Sequence, residues 1–160
     1  DGAMLGPLAR IDLLEKLKRQ VNTAIQQGAK CVQGGVAVEG DGYYYSPTVL
    51  SDVDEGNIAF KEELFGPVAA ITSFLDENEA MRLANSSDFG LGGGVYSQDL
   101  DKAWKLASQM ECGLCAVNDF VRSDVRFPFG GVKESGWGRE LSLEGIRAFA
   151  NIKTYCSKQL

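Results

Sequence analysis

The chain has 160 residues, of which 44% are hydrophobic and 24% charged, a composition typical of a globular protein and not of a disordered or fibrous one. Its 16 basic and 22 acidic residues give a formal net charge of −6, which argues against a nucleic-acid partner. The chain has no histidine, so no Ser-His-Asp or Cys-His centre is completed within it, and no apolar run approaches the roughly 20 residues that span a bilayer.

The first part of the chain predicts a helix and two strands. Apolar residues recur at helical spacing before Gly28, where the helix should end: Leu14, Leu17, Val21, Ala24 and Ile25. A short strand through Cys31 and Val32 follows. Residues 43–50 (YYYSPTVL) are aromatic and β-branched and predict a second strand, in which Pro47 favours an edge or irregular position.

From Val68 onward the pattern becomes regular. VAAITSF predicts a buried strand, and Asp76 with Glu79 forms a capping box that opens a helix ending near Asn85. GLGGGVYS predicts the next strand, residues 99–111 the next helix, and GLCAVN a further strand. Two successive βαβ units indicate an α/β fold with an open parallel sheet and flanking helices. A short helix over residues 142–149 and a final strand, IKTYCSK, complete the prediction.

A glycine-rich stretch, FPFGGVKESGWGRE, spans residues 127–140 and follows the strand that ends at Asn118. Ligands of open α/β sheets gather beyond the carboxyl ends of strands, so this loop is predicted to lie at a ligand-binding edge. It is not a phosphate-binding motif, because Trp137 stands where a Walker loop has lysine and Leu141 where a dinucleotide fingerprint has glycine. A tightly turned loop is the better prediction; a small phosphate-binding module is the weaker alternative.

Cys112 and Cys115 form the only close pair of cysteines. They have the spacing of a redox or metal half-site, but a zinc site needs four ligands. We therefore predict four structural thiols and no metal. No signal peptide is recognised, and we expect a cytoplasmic protein.

Four motifs in order resemble the aldehyde dehydrogenase superfamily along nearly the whole chain. FPFGGVKESGWGRE resembles its signature P-F-G-G-x-K-x-S-G-x-G-R-E, and FKEELFGPV resembles E-E-x-F-G-P-V. GYYYSPTVL and MLGPLAR resemble the segments that precede the second motif. Within the superfamily, SDVRFPFGGVKESGWGRELS and ANIKT are most similar to the succinate-semialdehyde dehydrogenases.

The resemblance implies oxidation of an aldehyde through a cysteine thiohemiacetal, with NAD or NADP as cofactor and a glutamate base. It also implies that nucleophile, base and Rossmann half lie upstream of this chain, which then holds no catalytic residue and is inactive alone. Residues 1–150 are expected to be part of the catalytic domain. Residues 151–160 are expected to form the terminal strand of the oligomerisation region, in a homo-oligomer (dimer or tetramer).

The resemblance assigns cofactor contacts to Glu63 and Phe65. Glu63 matches the glutamate that accepts hydrogen bonds from the nicotinamide ribose, a role suited to a carboxylate facing a vicinal diol. The alternative is a solvated acid beside Glu62. Phe65 matches the aromatic ring near the ribose and nicotinamide, with core packing as the alternative.

The resemblance assigns substrate contacts to Ser123 and Phe129. Phe129 matches a residue that lines the substrate tunnel, although core packing is again an alternative. Ser123 matches the serine that binds the substrate carboxylate in succinate-semialdehyde dehydrogenases, and Arg122 and Arg126 would add positive charge beside it. A turn residue is the alternative for Ser123.

The leading hypothesis is therefore a C-terminal segment of an NAD(P)-dependent aldehyde dehydrogenase, with succinate semialdehyde as the expected small-molecule substrate. The rival is a free-standing, non-catalytic α/β module that keeps the fold and its subunit-pairing strand. The residues present leave NAD and NADP equally open.

Overall fold

The computed structural model describes residues 5–159, and they divide into two compact units after Leu75. Met4 of the MLGPLAR motif and Leu160 of the predicted terminal strand lie outside the described residues. The first unit holds, in chain order, α1 (Ile11–Gln26), β1 (Lys30–Gln33), β2 (Thr48–Ser51), α2 (Ile58–Lys61) and β3 (Val68–Ala70). The second holds α3 (Glu77–Asn85), β4 (Phe89–Gly90), β5 (Gly92–Val95), α4 (Leu100–Ala107), β6 (Leu114–Val117), β7 (Val132–Lys133) and α5 (Ser142–Ala148).

The core of the first unit forms around α1, as its periodicity predicted. The helix ends one residue before its cap at Gln27, and the Gly28 N–H then donates to the Ile25 carbonyl, which confirms the predicted stop. The buried cluster combines one face of α1 with residues of the following strands, loops and α2: Leu14, Leu17, Val21, Ala24, Ala29, Tyr45, Leu50, Val53 and Ala59.

The sheet of the first unit has the order β1-β2-β3, with β1 antiparallel and β3 parallel to β2. Of the two positions predicted for Pro47, the irregular one is observed and the edge one is wrong, because Pro47 precedes β2 and β2 lies in the centre of the sheet. Pro47 is accommodated because the strand starts only at Thr48, whose N–H donates to the Pro67 carbonyl. The prediction of a buried strand from VAAITSF is also wrong: β3 lies at the edge of this sheet, and its residues are half-buried or exposed.

The second unit contains a parallel βαβ unit, β5-α4-β6, in which Gly92 pairs with Leu114 and Val95 with Val117. The Asp76 side chain caps α3, as its position predicted, and the Asp99 side chain caps α4. Helix α4 ends at Ala107, four residues earlier than predicted.

The predicted strand GLGGGVYS divides into two strands. β4 pairs antiparallel with β7 of the glycine-rich stretch, whereas β5 pairs with β6. The first of the two predicted βαβ units is therefore not formed as expected, because the parallel partner of β3 is β2. The α/β class is confirmed, with mixed strand pairing in place of one parallel sheet.

The predicted helix after the glycine-rich stretch is present as α5, but residues 151–159 adopt no strand in this single chain. A strand needs a neighbour for its backbone hydrogen bonds. Pairing of this segment with another subunit stays a prediction. Within residues 5–159, no helix is both long and apolar enough to cross a bilayer.

Candidate functional site

Glu63 and Phe65 line one cavity of about 580 Å³ in the first unit. The same cavity is lined by the segment that leads into α1, including Leu5, Pro7 and Leu8. Two of the four motifs that carry the resemblance therefore share one cavity wall. The Phe65 side chain is 62% exposed, so core packing within this chain does not account for it.

The segment that carries Glu63 begins where α2 ends. α2 opens at Asn57, a buried residue whose Oδ1 accepts from the Ala59 N–H while its Nδ2 donates to the Ala24 carbonyl of α1. The Glu62 N–H closes α2 by donating to the Ile58 carbonyl. Asn57 thus fixes α2 to α1 and thereby sets where the following residues start.

Gln20 of α1 makes the polar contacts to this segment. Its Nε2 donates to the Glu62 carboxylate (2.8 Å) and to the Glu63 carbonyl oxygen (3.2 Å). Gln20 was not among the residues predicted to act at the site, although the sequence carried a signal: this residue is polar, yet it lies at helical spacing from Leu17 and Ala24 on the apolar face.

Ser123 lies on an exposed loop of the second unit, and its two neighbouring arginines are already paired. Arg122 Nη2 donates to Asp119 Oδ2 (3.0 Å), and Arg126 makes a forked contact with Asp124 at 2.6 and 2.9 Å. The Arg126 guanidinium lowers the pKa of the Asp124 carboxyl to about 2. The positive charge expected beside Ser123 is therefore largely balanced by aspartates.

Phe129 is half-buried and lines a second cavity of about 480 Å³ together with the glycine-rich stretch. Its backbone N–H and carbonyl both pair with Glu140 at 2.8 Å, which joins the two ends of the stretch. Ser123 is not among the residues that line this cavity. Of the two predicted substrate residues, only Phe129 faces it.

The glycine-rich stretch is a tightly turned loop, as predicted. Gly136 and Gly138 have φ of +126° and +80°, a region that side chains with a Cβ rarely adopt. Arg139 Nη1 donates to the carbonyls of Gly131 (2.9 Å) and Gly138 (2.6 Å), inside the loop itself.

Lys133 fastens the same loop to its surroundings. Its Nζ donates to the carbonyls of Asn85 (2.6 Å) and Ser87 (3.0 Å) and pairs with the Glu111 carboxylate (2.8 Å). Both cations of the loop therefore have partners within the protein, and the phosphate-binding alternative gains no support.

The cysteine pair has structural surroundings. Cys112 Sγ donates to the Leu114 carbonyl (3.2 Å), and Cys115 Sγ contacts Met110 Sδ (3.5 Å). Burial, with a further contribution from Cys112, raises the pKa of the Cys115 thiol, which disfavours the reactive thiolate. The described part of the chain contains no cluster of three or more His, Cys, Asp or Glu residues that could hold a metal.

Comparisons with known proteins agree with the resemblance. The profile of the aldehyde dehydrogenase family matches residues 1–155. The chain is 48% identical over 150 residues to a succinate semialdehyde dehydrogenase [NAD(P)+] of Escherichia coli K12, covering 94% of this chain and 32% of that protein. It is 41% identical to the human mitochondrial succinate-semialdehyde dehydrogenase, covering 98% of this chain and 29% of that protein.

Solved structures give the same answer. The fold superposes with a TM-score of 0.88 on a Mycobacterium tuberculosis aldehyde dehydrogenase solved with NAD+, at 38% identity, covering 92% of this chain and 31% of that one. A Staphylococcus aureus betaine aldehyde dehydrogenase with NAD+ also gives 0.88, at 35% identity, with 92% and 30% covered. The chain thus spans about a third of the length of these relatives. It belongs to the aldehyde dehydrogenase family.

Proposed function

We propose that this chain is part of an NAD(P)-dependent aldehyde dehydrogenase that oxidises succinate semialdehyde to succinate. The observation that carries the proposal is the shared cavity of Glu63 and Phe65, the two residues to which the resemblance assigns cofactor contacts. Relatives whose names specify succinate semialdehyde support the substrate.

The cavity suits a nicotinamide riboside. Its volume of about 580 Å³ lies in the range of small-molecule sites, and its lining combines apolar residues with one acidic residue, Glu63. The Glu63 carboxylate would accept hydrogen bonds from two ribose hydroxyls and so orient the nicotinamide, and the exposed Phe65 ring would give an apolar surface beside it. When bound, NAD(P) supplies the hydride acceptor. Since the relatives include enzymes named for NAD(P)+ and for NADP+, both cofactors stay in the proposal.

The substrate carboxylate needs hydrogen-bond donors, because a buried, unpaired charge is costly. Ser123 is the proposed donor, with its hydroxyl free to approach from an exposed loop. Arg122 and Arg126 are paired with Asp119 and Asp124. Because the aspartates balance their charge, the two arginines would attract the substrate carboxylate only weakly. Phe129 is proposed to line the path of the aliphatic part of the substrate.

The remaining chemistry is assigned to residues outside this chain. The cysteine nucleophile and the glutamate base are expected upstream, as the family resemblance implies, and residues 151–160 are proposed to pair with another subunit in a homo-oligomer. A cytoplasmic location stays a prediction, since the named relatives include mitochondrial enzymes.

The experiment that tests this proposal uses the full-length protein containing this chain. Purified protein is assayed for NADH and NADPH formation with succinate semialdehyde and with butanal, an uncharged aldehyde of the same length. The proposal predicts clear preference for succinate semialdehyde. Turnover of butanal alone would overturn the substrate, and no turnover of any aldehyde would favour the non-catalytic module.

A further inference from the structure

Gln20 is a buried polar side chain on the apolar face of α1. It is 1% exposed and lies on α1 between Leu17, Val21 and Ala24, all of which are buried. A buried amide is destabilising unless its donors and acceptors are paired.

Only the donor side of Gln20 is paired. Both Nε2 hydrogen bonds go to adjacent residues, the Glu62 carboxylate and the Glu63 carbonyl. Among the residues that the structure describes, its buried Oε1 has no hydrogen-bond partner. Because an unpaired buried acceptor is destabilising, stability alone does not explain a glutamine here. Methionine would fill nearly the same volume without that penalty.

A second contact holds the same segment against α1. A Cβ on Gly66 would overlap Leu17 Cδ2, so the backbone at Gly66 lies directly on a buried leucine. Leu17 and Gln20 are three residues apart and thus neighbours on the helix surface. The segment from Glu62 to Gly66 is therefore fixed to α1 at both of its ends.

As a result, the two adjacent glutamates, Glu62 and Glu63, have different surroundings. The Glu62 carboxylate is held by Gln20 in the first unit, whereas Glu63 lines the cavity. We infer that Gln20 is a positioning residue: by binding the Glu62 side chain and the Glu63 carbonyl, it sets the Glu63 carboxylate toward the cavity. This inference rests on the proposed cofactor role of Glu63.

The test uses two variants of the full-length enzyme. Gln20→Met removes both donors and the unpaired acceptor. Gln20→Glu keeps the shape but places a second carboxylate beside Glu62. The matched control is Gln26→Met, at the exposed last residue of the same helix.

The first readout is hydrogen exchange in peptides covering residues 62–66, which reports positioning independently of catalysis. We expect exchange to rise roughly three- to tenfold in Gln20→Met, more in Gln20→Glu, and little in Gln26→Met. Unchanged exchange in both Gln20 variants overturns the positioning role, whatever Glu63 does.

The second readout is single-turnover hydride transfer compared with cofactor affinity. Gln20→Met should slow hydride transfer roughly three- to tenfold with little change in cofactor Kd, and should have no further effect in a Glu63→Gln background. Additive losses overturn the inference that Gln20 acts through Glu63. If Glu63→Gln is itself silent, the proposed role of Glu63 is wrong, and hydrogen exchange still decides whether Gln20 positions the segment.

Discussion

The two units of the chain stabilise their candidate sites in different ways. In the first unit, nine buried apolar residues form a core under the segment that carries Glu63. In the described part of the second unit, the buried apolar side chains are those of two alanines, Ala103 and Ala107. Large apolar side chains such as Trp104, Trp137 and Phe149 are exposed there.

Within this chain, the contacts that hold the loops of the second unit are backbone contacts and surface ion pairs. The glycine-rich loop is held by close glycine-to-backbone approaches and by the carbonyl contacts of Lys133 and Arg139. The Ser123 loop has exposed ion pairs, and such pairs contribute only about 0–1 kcal/mol. The comparison predicts that the Glu63 segment is sensitive to core mutations, whereas the loops of the second unit are sensitive to backbone crowding.

The largest expected effect is on the core of the first unit. Leu17→Ala in the full-length enzyme should lower the local free energy of unfolding of α1 by about 2–5 kcal/mol, because it opens a cavity beside Gly66 and Val21. Native-state hydrogen exchange of α1 peptides measures this local free energy of unfolding. Ile25→Ala, at a partly exposed position of the same helix, is the control and should cost about 1 kcal/mol or less. Equal losses in both variants would contradict a core centred on Leu17.

The next largest effect is expected from backbone crowding in the second unit. A Cβ on Gly113 would overlap the Gly130 carbonyl oxygen, and neither backbone can move without disturbing the glycine-rich loop. Gly113→Ala should therefore destabilise this region by about 1–3 kcal/mol or more and raise hydrogen exchange in residues 127–140.

Gly94→Ala in β5 is the matched control, since its Cβ would meet its nearest neighbours at ordinary contact distances of 3.5 Å and beyond. Comparable exchange in the two variants would show that the loop does not depend on this close approach.

A smaller effect is expected from a substitution at Ser123, and it should change the selectivity between charged and uncharged aldehydes. Ser123→Ala in the full-length enzyme should lower kcat/KM for succinate semialdehyde by roughly ten- to a hundredfold, because a charged group loses one hydrogen-bond donor at about 1.5–3 kcal/mol. Butanal, which lacks the carboxylate, should be nearly unaffected. An equal loss on both aldehydes would mean that Ser123 shapes the loop and does not bind the substrate carboxylate.

The smallest effect concerns the ion pair beside Ser123. Arg126 lowers the pKa of Asp124 from 3.8 to about 2, so the pair stabilises the folded state fully above about pH 4 and loses this contribution as the pH falls toward 2. Because the pair is exposed, the expected change is small. The unfolding midpoints of the wild type and Asp124→Asn should converge as the pH is lowered from 6 to 3. A difference that stays constant over this range would rule out the pair as its source.

Local signals in the sequence predicted local structure well. The apolar period of α1, Gly28 after it, and the Asp76 cap all appear as expected, because each acts within a few residues. The glycine-rich stretch was likewise predicted as a tight loop, since positive φ is a local property.

Strand pairing and side-chain contacts between distant segments were harder to predict. GLGGGVYS gives no sign that β4 joins β7 while β5 joins β6, because partners in a sheet are chosen by distant residues. Nor does the sequence show that aspartates pair with Arg122 and Arg126, or that Gln20 reaches Glu62 and Glu63 from 42 and 43 residues away. Such contacts depend on tertiary packing.

The most direct test of the central claim is single-turnover hydride transfer in the full-length enzyme carrying Glu63→Gln. The glutamine keeps the shape but replaces one acceptor oxygen by a donor and removes the charge that is proposed to bind the ribose hydroxyls. We predict that hydride transfer slows roughly tenfold while the cofactor Kd changes little, because Glu63 orients the cofactor and contacts elsewhere bind it. An unchanged rate of hydride transfer would contradict the assignment of this cavity to the cofactor.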